Sequence, residues 1–233
     1  MPSNWSKGFT IETHPSVRKI SETMKKKKLD NFYHWREEMK KAGRIKSSYP
    51  SFKKDGDLAE LIGVTLGDGH IGKFPRTEVL RISANSNNLD FIDRYAYLVE
   101  KIFKKPPHIG KKNSSNCTTI TIYEQHISKR LSIPTGSRKD IISPTPFWIF
   151  NNKKYILRYL RGLYEAEGCY CIHRPTSTYK FIFSNRNKSI LANVHRLLIG
   201  LGFHPCKSGY QVQISRKKEV EEIKNLVQFR QYE

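Results

Sequence analysis

Two acidic residues occupy nearly matching surroundings 99 residues apart: Leu61-Ile62-Gly63-Val64-Thr65-Leu66-Gly67-Asp68-Gly69 and Leu160-Arg161-Gly162-Leu163-Tyr164-Glu165-Ala166-Glu167-Gly168. Leucine, glycine, a small residue, an acid and a closing glycine recur in register. The residues before each acid read as a helix, with Leu58, Leu61, Ile62, Thr65 and Leu66 as the apolar stripe of the first copy. An acid at a helix C-terminus faces the negative end of the macrodipole, at a cost of about 0.3–1 kcal/mol. Two such acids side by side also repel. A divalent cation between them reverses both effects. Oxygen donors suit Mg²⁺, which keeps several waters and takes further ligands from phosphates. The expected chemistry is metal-assisted phosphodiester hydrolysis, with Asp68 and Glu167 as ligands and Gly67 and Ala166 beside them. Asp-Gly is also a common turn pair. One copy would be read as a turn, but two copies within a repeat are not.

Something must bring the two acids together. Gly63 and Gly67 lie four residues apart and share a helix face, as do Gly162 and Ala166. Glycine within a helix costs about 1 kcal/mol relative to alanine, which close approach of a second backbone offsets. The two copies are each other's natural partner, and packing along these faces joins their C-terminal ends. Asp57 with Glu60 three residues on reads as a capping box at the start of the first helix. A second echo follows each copy, Ser83-Ala84-Asn85-Ser86-Asn87 against Phe183-Ser184-Asn185-Arg186-Asn187. Apolar-periodic helices come next, Leu89 to Phe103 and Ile190 to Leu201. Alternating strands follow, Thr118 to Tyr123 with Ile120 and Ile122 on one face, and Tyr210 to Ser215 with Val212 and Ile214. The chain therefore reads as α+β: two αββαββα units, 57–133 and 152–233, joined by a linker at 134–151.

Composition points to the partner. The net charge of +21 over 233 residues is self-repulsion that a polyanion relieves, and nucleic acid leads that class. A membrane role is not expected, because no run of 18 apolar residues and no long helix with a purely cationic face occurs. The N-terminus lacks a secretory apolar segment. Four cysteines (117, 169, 171 and 206) without disulfide-framework spacing fit a reducing intracellular compartment: cytoplasm, nucleoid or organelle matrix. Cys169, Cys171 and His173 share one face of a strand, but three ligands on one strand cannot wrap a tetrahedral zinc ion. Residues 1–56 form a basic arm around Lys25-Lys26-Lys27-Lys28, with a helix expected from Asp30 to Ala42 and Gly43 as its stop. It reads as a solvated tail or as an accessory DNA-binding arm.

The motifs at 61–69 and 160–168 resemble the LAGLIDADG homing endonucleases of the single-chain, two-repeat type, and the duplicated pattern extends that resemblance across about 57–230. The resemblance implies a monomer whose motif helices form the inter-repeat interface, with antiparallel sheets making a saddle over a long, asymmetric double-stranded DNA target. It implies metal binding by the last acid of each motif, with Mg²⁺ or Mn²⁺ active and Ca²⁺ able to occupy the site without turnover. Cleavage would leave 3′ overhangs. A polar residue near the end of each second strand is expected to assist, which places Asn85 and Asn185. A lysine after the first repeat is expected to polarise the water network, which places Lys139. Glu167 stands where the signature has Asp, a substitution common in the family. Ser16–Lys25 resembles the short modular DNA-binding elements attached to such nucleases. Two rivals remain open: a catalytically silent DNA-binding regulator of this fold, and a maturase whose partner is intron RNA. An intein is disfavoured by the opening Met1 and by Gln231-Tyr232-Glu233 in place of a His-Asn splicing end.

Strand alternation names the residues that would read DNA. Tyr170 and Ile172 suit the core, leaving Cys171 and His173 toward DNA. Val212 and Ile214 point inward and Gln211 and Gln213 outward, with glutamine suited to adenine. In the first repeat the same reasoning exposes Arg76, Arg81, Thr119 and Thr121, with arginine suited to guanine. His70, Ser83 and Lys180 join this set. A saddle of roughly 60 Å would cover about 18 base pairs.

Overall fold

A computed structural model of the chain describes residues 7–232 apart from 31, 45, 113–114, 139–140 and 143–144. The chain divides into two compact units, Met1–Tyr49 and Pro50–Glu233.

The first unit carries α1 (Pro15–Lys26) and α2 (Tyr33–Lys41), neither of which buries a residue. Helix α2 ends where Gly43 adopts a φ of +69°, as the expected stop requires. The lysine run begins in the last turn of α1, where cations favour the helix dipole.

The second unit is α+β and repeats one plan twice. Its first half runs α3 (Gly56–Gly67), β1 (Gly69–Lys73), β2 (Glu78–Asn85), α4 (Leu89–Phe103), β3 (His108–Lys112), β4 (Cys117–Glu124) and α5 (Ile127–Leu131). After the short α6 (Phe147–Phe150), the second half runs α7 (Lys153–Glu167), β5 (Gly168–His173), β6 (Thr178–Ser184), α8 (Lys188–Gly200), β7 (Cys206–Ser208), β8 (Gln211–Ile214) and α9 (Lys217–Leu226). Each half folds one antiparallel four-stranded sheet, in orders β1-β2-β4-β3 and β5-β6-β8-β7. Residues 50–56, expected to belong to the basic arm, are part of this unit. Phe52 is buried edge-on to Phe103 at 4.9 Å, with the Arg130 guanidinium 3.7 Å from its ring centre.

One face of each sheet is core. Ile71, Leu80, Ile82, Ile120 and Ile122 pack over Phe91, Tyr95, Leu98 and Val99 of α4, all buried. In the second half Phe181, Phe183, Val212 and Ile214 pack over Ile190, Val194 and Leu198 of α8, and Tyr164 stacks on Phe181 at 4.2 Å. Each fully buried side chain of this size is worth about 1.5–3 kcal/mol. The single continuous core makes the two repeats one cooperative body.

Helices α3 and α7 form the seam between the repeats. A methyl group on Gly63 would collide with the Tyr159 carbonyl, and one on Gly162 with the Glu60 carbonyl. The backbones meet at these two glycines, which is why the sequence tolerates them inside helices. The cap differs from the expected one. Asp55 accepts from Leu58 N at 3.0 Å, and Glu60 does not cap. It is fully buried in the seam, where Arg94 holds it through Nε at 2.6 Å and Nη2 at 3.0 Å and Arg158 Nε reaches it at 2.7 Å. The cations come from α4 of the same repeat and α7 of the other, so this carboxylate ties the two repeats together.

Candidate active site

Asp68 is the C-cap of α3 and Glu167 the last residue of α7. The glycine seam therefore delivers the two acids to one place, both half-buried. Gly69 and Gly168 then let each chain reverse straight into a strand. A Cβ on Gly69 would press on the backbone of Thr65, and one on Gly168 on the Tyr164 carbonyl. Burial, and then the charge of Glu167, push the Asp68 carboxyl up to about 7. Burial also raises Glu167. Among the described residues no cation offsets either shift. Two hard oxygen donors brought together at joined helix ends fit a divalent ion such as Mg²⁺. The described residues contain no cluster of three or more His, Cys, Asp or Glu that could hold a metal. The cysteines are free, and Cys169, Cys171 and His173 make no metal cluster.

A cavity of about 620 Å³ opens beside Glu167, lined among others by Gly67, His70, Arg138, Asn185, Asn187 and Tyr210. Strand register decides which polar groups lie nearest the acids. Gly69 pairs with Ile82 and Gly168 with Phe183, so Ser83 and Ser184 stand opposite Asp68 and Glu167. The Ser83 amide donates to the Asp68 carbonyl at 3.3 Å. Asn85 lies two residues past Ser83, about 6.6 Å further along the strand. It and Asn185 use their side-chain oxygens to close matching turns, accepting from Asn87 N at 2.9 Å and Asn187 N at 2.8 Å. Asn185 still lines the cavity and Asn85 does not. Lys139 lies outside the described residues.

Cross-strand partners share a face, so the pairings also define the surface away from the core. On the first sheet His70, Arg81, Thr121 and His108 form one row across all four strands, with Ser83, Thr119 and Gly110 as the next. On the second, Cys171 faces Lys180, and His173 faces Thr178. Ser184, Gln211 and Ser208 form a row, and Cys169, Ile182, Gln213 and Cys206 another. Two expectations are corrected. Ile172 is 40% exposed and not core. Its neighbour Tyr170 is covered by α9, with its hydroxyl 2.6 Å from Glu221 and Lys224 over its ring. Arg76 lies in the β1–β2 turn, where its carbonyl accepts from Gln125 Nε2 at 3.1 Å, so alternation does not set its direction.

Sequence reasoning missed three residues. His108 follows from the pairing of β3. Asn187 is recognisable as an N-cap before an apolar helix. Arg138 carries no local signal, because its partners are carbonyls about 70 residues away.

No family model and no curated protein sequence matches the chain. Solved structures do. The homing endonuclease I-DmoI, in a structure of its mesophilic variants, superposes with a TM-score of 0.53 at 18% identity, covering 74% of this chain and 94% of that one. The chain has the LAGLIDADG fold. I-DmoI in complex with DNA and Mn gives 0.52 at 17%, over 74% and 96%. The N-terminal LAGLIDADG domain of DUF199/WhiA gives 0.52 at 14%, over 79% and 88%. In the LAGLIDADG fold of this chain, both motif helices, both four-stranded sheets and both terminal acids are present. No described helix is long and apolar enough to cross a membrane.

Proposed function

We propose that this chain is a site-specific, metal-dependent endonuclease of double-stranded DNA. The reading rests on one observation: two carboxylates at joined helix ends, where burial and mutual repulsion oppose their ionisation. Folding stability alone disfavours this arrangement, and it recurs in both repeats. Asp68 and Glu167 would hold the ion, with the main-chain oxygens of Gly67 and Ala166 on the same helix ends. A divalent cation bound there supplies an activated water and neutralises charge on the phosphodiester. The chain itself does the positioning. The α3–α7 seam fixes the two acids, and the two polar sheet faces hold the duplex across them. Arg81, Thr119, Thr121, Ser83 and His70 serve one half-site, and Gln211, Gln213, Lys180, Cys171 and His173 the other. Because these faces differ in chemistry, the target is asymmetric. The basic first unit adds phosphate contacts of its own. That I-DmoI was solved with DNA and Mn supports the reading. A catalytically silent DNA-binding protein would have no use for both strained acids.

The test is selection from a plasmid library carrying random inserts, incubated with the full chain and Mg²⁺, with sequencing of the cut ends. A recurrent asymmetric site with 3′ overhangs, lost in Asp68→Asn and Glu167→Gln while DNA binding persists, is the expected result. Cutting by either variant at the wild-type rate refutes the assignment. Binding of structured RNA without any cleavage would favour the maturase reading.

A further inference from the structure

Gly136, Arg138 and Ile141 of the linker are fastened to one repeat or the other near the point where the acids meet. Gly136 N donates to the Ile71 carbonyl at 2.9 Å. The Arg138 guanidinium turns inward and donates from Nη2 to the carbonyls of Thr65 at 2.9 Å and Gly69 at 2.6 Å, with Leu66 at 3.5 Å. These are the last carbonyls of α3 and the first of β1, on either side of Asp68. The main chain of the same segment is held from the other repeat. Asn187 donates from Nδ2 to the carbonyls of Arg138 at 2.6 Å and Ile141 at 2.8 Å. Its Oδ1 accepts from Ser189 N at 2.9 Å and Ile190 N at 3.2 Å, capping α8. Asn187 is only 4% exposed, so these bonds are made away from water.

A half-buried guanidinium whose acceptors among the described residues are all main-chain carbonyls is unusual chemistry for a cation in a protein facing a polyanion. Its Nη2 reaches helix-terminal acceptors that would otherwise stay orphaned. Its charge also sits at the negative end of the α3 dipole. Lysine supplies the charge, but its nitrogen ends one bond short of Nη2.

From this geometry we propose that Arg138 is a positioning residue. With Asn187 it forms a clamp that joins the linker to both repeats and fixes the end of α3, so that Asp68 is held beside Glu167. The consequence for metal binding rests on the nuclease reading above. The clamp itself rests on the hydrogen bonds alone.

The experiment uses the full chain and the variants Arg138→Gln, Arg138→Lys and Asn187→Asp. The last keeps the α8 cap and loses both Nδ2 donations, so it remains folded if α8 is intact. Two readouts are taken well below the melting temperature: amide hydrogen exchange over residues 64–72, and Mn²⁺ half-saturation by electron paramagnetic resonance. Loss of outer partners of a metal site costs about 10–100-fold in affinity. Arg138→Gln and Asn187→Asp are therefore expected to raise the Mn²⁺ half-saturation at least about tenfold and to speed exchange at 64–72, with Arg138→Lys between them and the wild type. Wild-type exchange and wild-type half-saturation in Arg138→Gln would overturn the clamp. So would faster exchange with unchanged half-saturation, provided the wild type binds Mn²⁺ through Asp68. If the wild type shows no Mn²⁺ binding that Asp68→Asn abolishes, the nuclease reading fails. Exchange at 64–72 then decides the clamp by itself.

Discussion

Replacing Asp68 by Asn should stabilise the metal-free protein at alkaline pH, although the same change should abolish cleavage. An unfolded aspartate loses its proton near 3.8, whereas folded Asp68 keeps it to about 7. Below about pH 4 both states are protonated and the residue costs nothing. Between 3.8 and about 7 the folded state binds more protons than the unfolded one, so stability falls as pH rises, and the loss is complete above about 7. At about 1.4 kcal/mol per pKa unit the ceiling is about 4 kcal/mol. Screening by water at a half-buried group brings this to about 2–4 kcal/mol. Asparagine carries no such dependence. Thermal melts in EDTA at pH 8.5 should therefore place Asp68→Asn above the wild type by on the order of 10 °C, at about 2–4 °C per kcal/mol for a unit of this size. The gap should close as pH falls toward 4. Millimolar Mg²⁺ should narrow or reverse it by stabilising only the wild type, by about 2.7 kcal/mol at a hundred times the dissociation constant. Parallel pH profiles for the two proteins in EDTA would show that Asp68 is not strained and would remove the main support for a metal site.

Other expectations concern the seam, the DNA face and the arm. Glu60→Leu leaves Arg94 and Arg158 without their buried partner and should cost about 3–5 kcal/mol, measured by urea unfolding; a loss under 1 kcal/mol would mean the carboxylate is not needed to join the repeats. Gly162→Val, which drives a side chain into the Glu60 carbonyl, should leave the chain unfolded or with its repeats separated, as seen by circular dichroism and small-angle scattering. Gln211→Ala with Gln213→Ala should relax base preference at one end of the target and Arg81→Ala at the other, by about 1–3 kcal/mol per bidentate pair. A uniform loss of cutting across a randomised site would assign these side chains to phosphates. Deleting residues 1–30 should reduce the slope of log affinity against log salt by about 0.9 for each phosphate that the arm neutralises, and an unchanged slope would exclude the arm from binding.

What the sequence settled by itself is what short-range periodicity encodes. The two motifs, the interval between them, the helix from Leu89 to Phe103 and the inward faces of Ile120–Ile122 and Val212–Ile214 were all legible, because side-chain spacing follows directly from helix and strand geometry. So was the meeting of Asp68 with Glu167, since small residues four apart on two helices leave few other ways to pack. The rest was decided in three dimensions. Glu60 reads as a cap from its distance to Asp57, but the three arginines around it come from α4 and α7, and no local pattern announces them. Ile172 has the composition of a core residue, yet it stands exposed on β5. Asn85 and Asn185 match in sequence, whereas strand register sets Ser83 and Ser184 opposite the acids. Arg138 carries the same limit furthest. Its role depends on carbonyls, which every residue has, so only the path of the backbone could reveal which ones it binds.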